Sequence, residues 1–190
     1  MKFVQKEFSS TFEEKKSKFL AFLAPYSEFN DVMQRLKSEH PKARHFVYAY
    51  RYLNEFDQVI ENSSDDGEPK GTSGKPCLNV IAGNELINSF VIVVRYFGGV
   101  KLGTGGLVRA YSDAVNSVIN ISQLETYQKL QIQNLRCEYS ELSKLEYIIK
   151  NSNINIINKE FDSSVNLTLE STKEDFELFN TELPLGVKLQ

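Results

Sequence analysis

Apolar positions in the first two thirds of the chain follow two alternating periods. Phe19-Leu20-Ala21-Phe22-Leu23 is a short unbroken run closed by Pro25, which predicts a buried strand. Phe29, Val32, Met33 and Leu36 then recur at i, i+3, i+4 and i+7, one face of a helix over residues 27–39. Ser27 is placed to cap that helix through its hydroxyl, and His40-Pro41 ends it, because a residue before proline is pushed out of helical geometry. Residues 44–53 are rich in β-formers (Phe46, Val47, Tyr48, Tyr50, Tyr52) and predict a strand. Residues 54–75 are polar and hold Gly67, Gly71 and Gly74, the pattern of a long functional or disordered loop. Pro76 fits the first turn of a short helix, capped by Ser73 or Thr72, with Leu78 and Ile81 on its apolar face. Phe90 through Phe97 is the clearest strand, and its continuous apolar core predicts burial on both faces. Gly98-Gly99 breaks it. A helix follows to about residue 122, with Leu107, Val108, Tyr111, Val115, Val118 and Ile119 as its stripe.

Past Thr126 the pattern changes to a strand at 128–138, a helix at 140–151, strands at 153–160 and 164–170, a helix at 173–180 and a last strand at 185–189. That order is βαββαβ, the split ferredoxin-like unit. The expected class is α+β, with one domain over residues 1–125 and a second over 126–190. The 190 residues suffice for two small cores.

Composition narrows the setting. At 41% hydrophobic and 25% charged residues the chain is of ordinary globular type. The N-terminus has no apolar targeting segment, and the longest apolar run, Phe90 to Val94, falls far short of the ~20 residues of a membrane span. A cytoplasmic protein with no membrane partner is expected. Cys77 and Cys137 have no metal-ligand spacing, and one bridge between them stays open. Residues 1–125 carry 15 basic and 15 acidic side chains, whereas 126–190 carry 7 and 10. Within the first part, residues 69–110 hold Lys70, Lys75, Arg95, Lys101 and Arg109 against the single acid Glu85, and the glycines concentrate there. A basic, glycine-rich surface points to an anionic partner; the alternative is five charges scattered over unrelated faces.

Three segments offer chemistry. Residues 98–107 place five glycines between a buried strand and a helix start, where they let a ligand approach the backbone and where free N–H groups favour an anion. This is neither a Walker A nor a dinucleotide fingerprint, and a tight strand-to-helix corner is the competing account. Residues 63–76 hold Asp65, Asp66 and Glu68, weak candidates for a hard cation such as Mg²⁺, although Asp66-Gly67 is also ordinary turn chemistry. The third is the pair His40 and His45, which is a poor zinc pattern. No serine elbow and no catalytic set is assembled.

Several blocks together carry a family resemblance: Lys16-Ser17-Lys18-Phe19; Ala43-Arg44-His45; Ser64-Asp65-Asp66-Gly67-Glu68-Pro69 with Gly71-Thr72-Ser73-Gly74-Lys75-Pro76; Val93-Val94-Arg95-Tyr96-Phe97-Gly98-Gly99; and Leu102-Gly103-Thr104-Gly105-Gly106-Leu107-Val108-Arg109-Ala110-Tyr111. The chain resembles the IMPACT/YigZ family over essentially its whole length. The resemblance implies an N-terminal domain like ribosomal-protein and GHMP-kinase folds, and a C-terminal domain similar to the ferredoxin-like fifth domain of elongation factor G. It also implies a role in translation, since eukaryotic relatives regulate it by competing for the activator of a stress-responsive kinase. Phe46 stands where some relatives carry a second histidine, which weakens any histidine-pair mechanism.

The expected function is therefore a translation regulator that binds RNA, the ribosome or a translation factor, without a cofactor and without specificity for DNA. The anion- or RNA-binding set expected from these blocks is Arg44, His45, Thr72, Ser73, Gly74, Lys75, Arg95, Gly98, Gly99, Lys101, Gly103, Thr104, Gly105, Gly106 and Arg109. Two alternatives stand beside it: an enzyme or sensor for a phosphorylated small molecule cradled by the glycine-rich loop, and a protein-interaction module with no anion site.

Overall fold

The structure is a computed structural model describing residues 1–184, 187 and 189. The chain forms two compact units, Met1–Tyr127 and Gln128–Gln190. In the first, the elements run β1 (Lys2–Phe3), β2 (Phe8–Glu14), β3 (Ser17–Pro25), a 3₁₀ turn (Tyr26–Glu28), α1 (Phe29–Glu39), β4 (His45–Leu53), β5 (Val59–Ser64), α2 (Gly74–Gly83), β6 (Ser89–Tyr96), α3 (Gly103–Ile121) and β7 (Glu125–Thr126). Strands β2-β3-β6-β4-β5 form one wholly antiparallel sheet in that order. The short β1 and β7 pair with each other and bring the two ends of the unit together.

The unbroken apolar run of β6 puts it at the centre. Val91 and Val93 face a core shared with Phe19, Val47, Ala49 and the α3 stripe of Tyr111, Ala114, Val115 and Val118. Phe90, Ile92 and Val94 face the other side, where α1 covers them with Val32 and Leu36. A strand packed on both faces needs apolar residues at both phases of its alternation, which is why its sequence does not alternate.

Three expectations need correction, and one strand was not anticipated. Ser27 caps nothing; it lies inside the 3₁₀ turn that leads into α1, whose start has no side-chain cap. The stretch 54–75 is not one loop. Asn54 closes a turn by accepting from the backbone N–H of Phe56 and Gln58, and Val59–Ser64 then returns as an edge strand on β4. Its polar sequence hid it, because Val59–Ser64 buries no side chain fully and so shows no apolar alternation. Phe8–Glu14 is likewise an edge strand, with Phe8 and Phe12 packed on the core. Finally, neither Ser73 nor Thr72 caps α2: the Ser73 hydroxyl donates to Asp65 and the Thr72 hydroxyl donates to the Pro69 carbonyl.

The second unit holds β8 (Leu130–Cys137), α4 (Tyr139–Lys150), β9 (Asn155–Phe161), β10 (Val165–Thr172) and α5 (Lys173–Glu182). Its sheet order is β8-β10-β9, all antiparallel. The expected last strand falls mostly on residues outside those described, but Leu189 bridges antiparallel to Leu135, whose other neighbour is Leu167. The fold class is thus α+β with a C-terminal βαββαβ unit. Leu135, Leu145, Ile149, Leu167, Leu169, Phe176 and Phe179 make its separate core. A reciprocal Glu138–Glu141 capping box starts α4 and Thr172 caps α5. Cys77 and Cys137 are free and buried. Among the described residues, no helix is long and apolar enough to cross a membrane.

Candidate functional site

The first unit's most polar buried region lies where β4 begins and β6 ends. His45 and Arg95 are register partners, so their side chains leave the sheet side by side on the α2–α3 face. Arg95 is 6% exposed. A charge buried to that degree requires a partner, and Glu68 supplies it, with Arg95 Nη1 to Glu68 Oε1 at 2.5 Å. The same oxygen accepts from the Tyr111 hydroxyl at 2.9 Å, and His45 Nε2 stands 3.9 Å from it. Arg95 Nη2 reaches the Ser17 hydroxyl at 3.5 Å, and Ser17 also accepts from Gly98 N at 3.2 Å. The guanidinium lies 5.5 Å from the Phe19 ring and 5.7 Å from the Phe97 ring. Arg95 Nε is buried and has no hydrogen-bond partner among the described residues. Burial first, and then the Glu68 charge, push the Tyr111 phenol well above its ordinary range.

His45 is oriented from behind. Its Nδ1 is 2.8 Å from the Asp66 carbonyl. A carbonyl only accepts, so Nδ1 carries the proton and Nε2 is the nitrogen presented to Glu68. Asp66 also takes the Phe46 N–H on its Oδ2 at 2.6 Å, which ties the turn to the first residues of β4.

Asp65 organises the start of α2. Its carboxylate accepts from the N–H groups of Gly71, Ser73 and Gly74 and from the Ser73 hydroxyl. Burial alone would raise its pKa, but the Gly71, Gly74 and Ser73 bonds together outweigh burial and hold it below the usual carboxylate range. Asp65, Asp66 and Glu68, the weak candidates for a metal, are thus spent on three different partners. No cluster of metal-ligating side chains occurs among the described residues.

In front of this network is a hollow of about 420 Å³ lined by Lys42, Arg44, His45, Arg95, Tyr96 and Phe97. Lys42 and Arg44 are exposed and take part in none of the unit's described ion pairs. Phe97 leaves 56% of its surface in water. Among the described residues, no carboxylate lines the hollow.

Of the expected site residues, the fold brings Arg44, His45 and Arg95 together here and disperses most of the others. Thr72 and Ser73 are buried in the turn before α2 and Gly74 is buried at its first position; a Cβ at Gly74 would lie 2.7 Å from the Ser64 backbone. Their donors serve the protein itself. Lys75 is exposed on the first turn of α2. Gly98 is there for close approach, since a Cβ on it would come within 2.0 Å of the Lys16 carbonyl carbon. Gly99 and Lys101 are exposed on the loop after β6. Gly103, Thr104, Gly105 and Gly106 form the first turn of α3, whose start has no side-chain cap. Arg109 lines a different, smaller hollow of about 120 Å³ together with Glu14, Lys15 and Asp113. Arg95 is a paired, structural cation rather than a free one. Ser17 and Tyr111 fall within the family blocks but not within the expected binding set, and Lys42 falls within neither. The available signal was Tyr111, a hydroxyl on an otherwise aliphatic stripe, which when buried needs a partner.

A five-stranded antiparallel sheet flanked by helices, carrying a buried Arg–Glu–Tyr network at one end and followed by a ferredoxin-like unit, defines a two-domain α+β protein. The chain belongs to the IMPACT family: residues 15–119 match the Impact N-terminal domain, and residues 135–184 match a domain of unknown function (DUF1949). It is 35% identical to an IMPACT family member of Haemophilus influenzae over 177 residues, covering 90% of this chain and 86% of that one. It is 38% identical to the IMPACT family member YigZ of Escherichia coli over 158 residues, covering 80% and 76%. A crystal structure described as that of a hypothetical protein matches with a TM-score of 0.69 at 31% identity, covering 99% of this chain and 95% of that chain.

Proposed function

We propose that this protein is a regulator of translation that works by binding RNA, free or within the ribosome, in the hollow at the β4–β6 end of its first unit. The observation that carries this reading is the hollow's lining: two unpaired cations, Lys42 and Arg44, beside His45, with exposed Phe97 at the rim and no carboxylate among the lining residues. Cations neutralise phosphates and aromatic rings stack bases, which is the chemistry that holds single-stranded nucleic acid. The link to translation rests on membership of the IMPACT family and on the relationships described for it above. The buried Arg95–Glu68 pair holds His45 and the end of β6 in place rather than contributing free charge.

The test is fluorescence anisotropy of the full chain with labelled single-stranded RNA across a salt series. Affinity is expected to fall with salt on a log–log slope of about −0.7 for each phosphate contacted, so about −1.4 for the two free cations. Replacing Lys42 and Arg44 together by alanine is expected to flatten that slope. No retention of RNA at low salt, or binding indifferent to salt, would count against the proposal.

A further inference from the structure

The hollow's shape and charge narrow what it holds, and this inference rests on the RNA reading above. We propose that it recognises a terminal phosphomonoester together with its adjoining base, on the end of a single-stranded RNA or on a free mononucleotide, rather than an internal phosphodiester.

The charge balance points this way. An internal phosphodiester carries a single negative charge, whereas a terminal phosphate carries about −1.5 to −2 at pH 7. Lys42 and Arg44 bring two positive charges that no described ion pair offsets. Glu68, which is not among the lining residues, is already neutralised by Arg95. A dianion balances this site, and a monoanion leaves one cation over. Arginine and lysine are also suited to different parts of the group: the planar guanidinium bonds two phosphoryl oxygens at once, and the ammonium acts as a point charge.

Shape agrees. At about 420 Å³ the hollow is near the lower end of the ~300–1,000 Å³ range of small-molecule sites, a size for one nucleotide rather than for a run of them. One of its lining residues, Arg95, is 6% exposed. Phe97, 56% exposed, supplies an aromatic ring for the base, with the Arg95 guanidinium 5.7 Å from its ring centre.

A second observation is independent of charge and size. Arg95 Nε is a buried donor with no partner, and such groups are rare in folded proteins. It belongs to the same side chain that lines the hollow's inner side. Nε itself is closed to solvent, so a phosphoryl oxygen bound against this side chain meets it when the guanidinium turns toward the hollow. Tetrahedral terminal phosphate has three unbridged oxygens to distribute among Lys42, Arg44 and this inner end.

The experiment compares one short single-stranded RNA, labelled at its 3′ end, with a 5′-phosphate and with a 5′-hydroxyl, and titrates AMP against adenosine by calorimetry, all with the full chain. The phosphorylated RNA is expected to bind about tenfold more tightly, the worth of one added charge-assisted hydrogen bond. The preference should vanish in Lys42→Ala/Arg44→Ala, whose two sites are exposed and outside the core. AMP binding where neither RNA binds supports the phosphomonoester and overturns RNA as its source. Equal affinity for the two RNA ends, with AMP no better than adenosine, overturns the end-recognition proposal while RNA binding stands. A preference that survives the double variant overturns it too, by placing the phosphate elsewhere, and failure of every ligand overturns both proposals.

Discussion

Glu68 stands between a charge, a phenol and an imidazole, and the cost of removing it differs from the cost of removing any one of its partners. Arg95 is buried with it, so Glu68→Ala leaves an uncompensated cation and is expected to destabilise the first unit by about 3–5 kcal/mol. Tyr111→Phe removes one donor and leaves Arg95 in place, for a loss of about 1 kcal/mol. Urea unfolding of the two variants against the parent measures both. Asp65 adds a pH signature. Its folded pKa lies below the unfolded one, so its stabilisation is fully present above the unfolded value of about 4 and is lost as pH falls through the folded value. Asp65→Ala is therefore expected to cost about 2–3 kcal/mol at neutral pH, and the gap to the parent should close as unfolding is repeated down to strong acid. Tyr111 has the opposite sign. Its folded pKa is raised, so its contribution is intact below about 10, the unfolded value, and declines as pH rises beyond it.

At the scale of elements, the glycines divide by what surrounds them. Gly98 lies against the backbone of Lys16 and Ser17, so Gly98→Ala must displace main chain, and a loss of about 1–3 kcal/mol is expected. Gly105, in the first turn of α3, has open space where a Cβ would go, and Gly105→Ala is expected to stabilise by up to about 1 kcal/mol. Thermal unfolding of the pair gives shifts of opposite sign; two shifts of the same sign would contradict this division. The same contrast explains which elements were legible. β6, α1, α3 and the second unit's helices each bury a stripe or a run, and burial writes its period into the sequence. β2 and β5 are edges, and β5 in particular is polar along its exposed side. Its strand state comes from pairing with β4, a partner that local sequence does not contain.

For the whole molecule, the two core clusters of the first unit share no residue with the core of the second, and two stabilities are expected. A fragment of residues 1–127 is expected to fold by itself, because β7 and the bond from Tyr127 N to the Met1 carbonyl are inside it. A cooperative thermal transition for that fragment checks this; a noncooperative melt would mean that its core depends on residues 128–190. Cutting before Glu125 removes β7 and is expected to fray the N-terminus around Lys2 and Phe3.

What sequence by itself determined was the class: which stretches pair an apolar face with a period, the change of texture near residue 126, and the blocks that mark the IMPACT family. Those are local, one-dimensional properties. Which basic residues meet was decided only by tertiary structure. Arg44, His45 and Arg95 converge because β4 and β6 pair with His45 opposite Arg95, whereas Arg109 is carried along α3 to another hollow, Ser73 and Gly74 are drawn inward by Asp65, and Thr72 bonds the Pro69 carbonyl. Register and burial depend on residues far apart in the chain, so a charge count along the sequence registers that cations are present and not where they face.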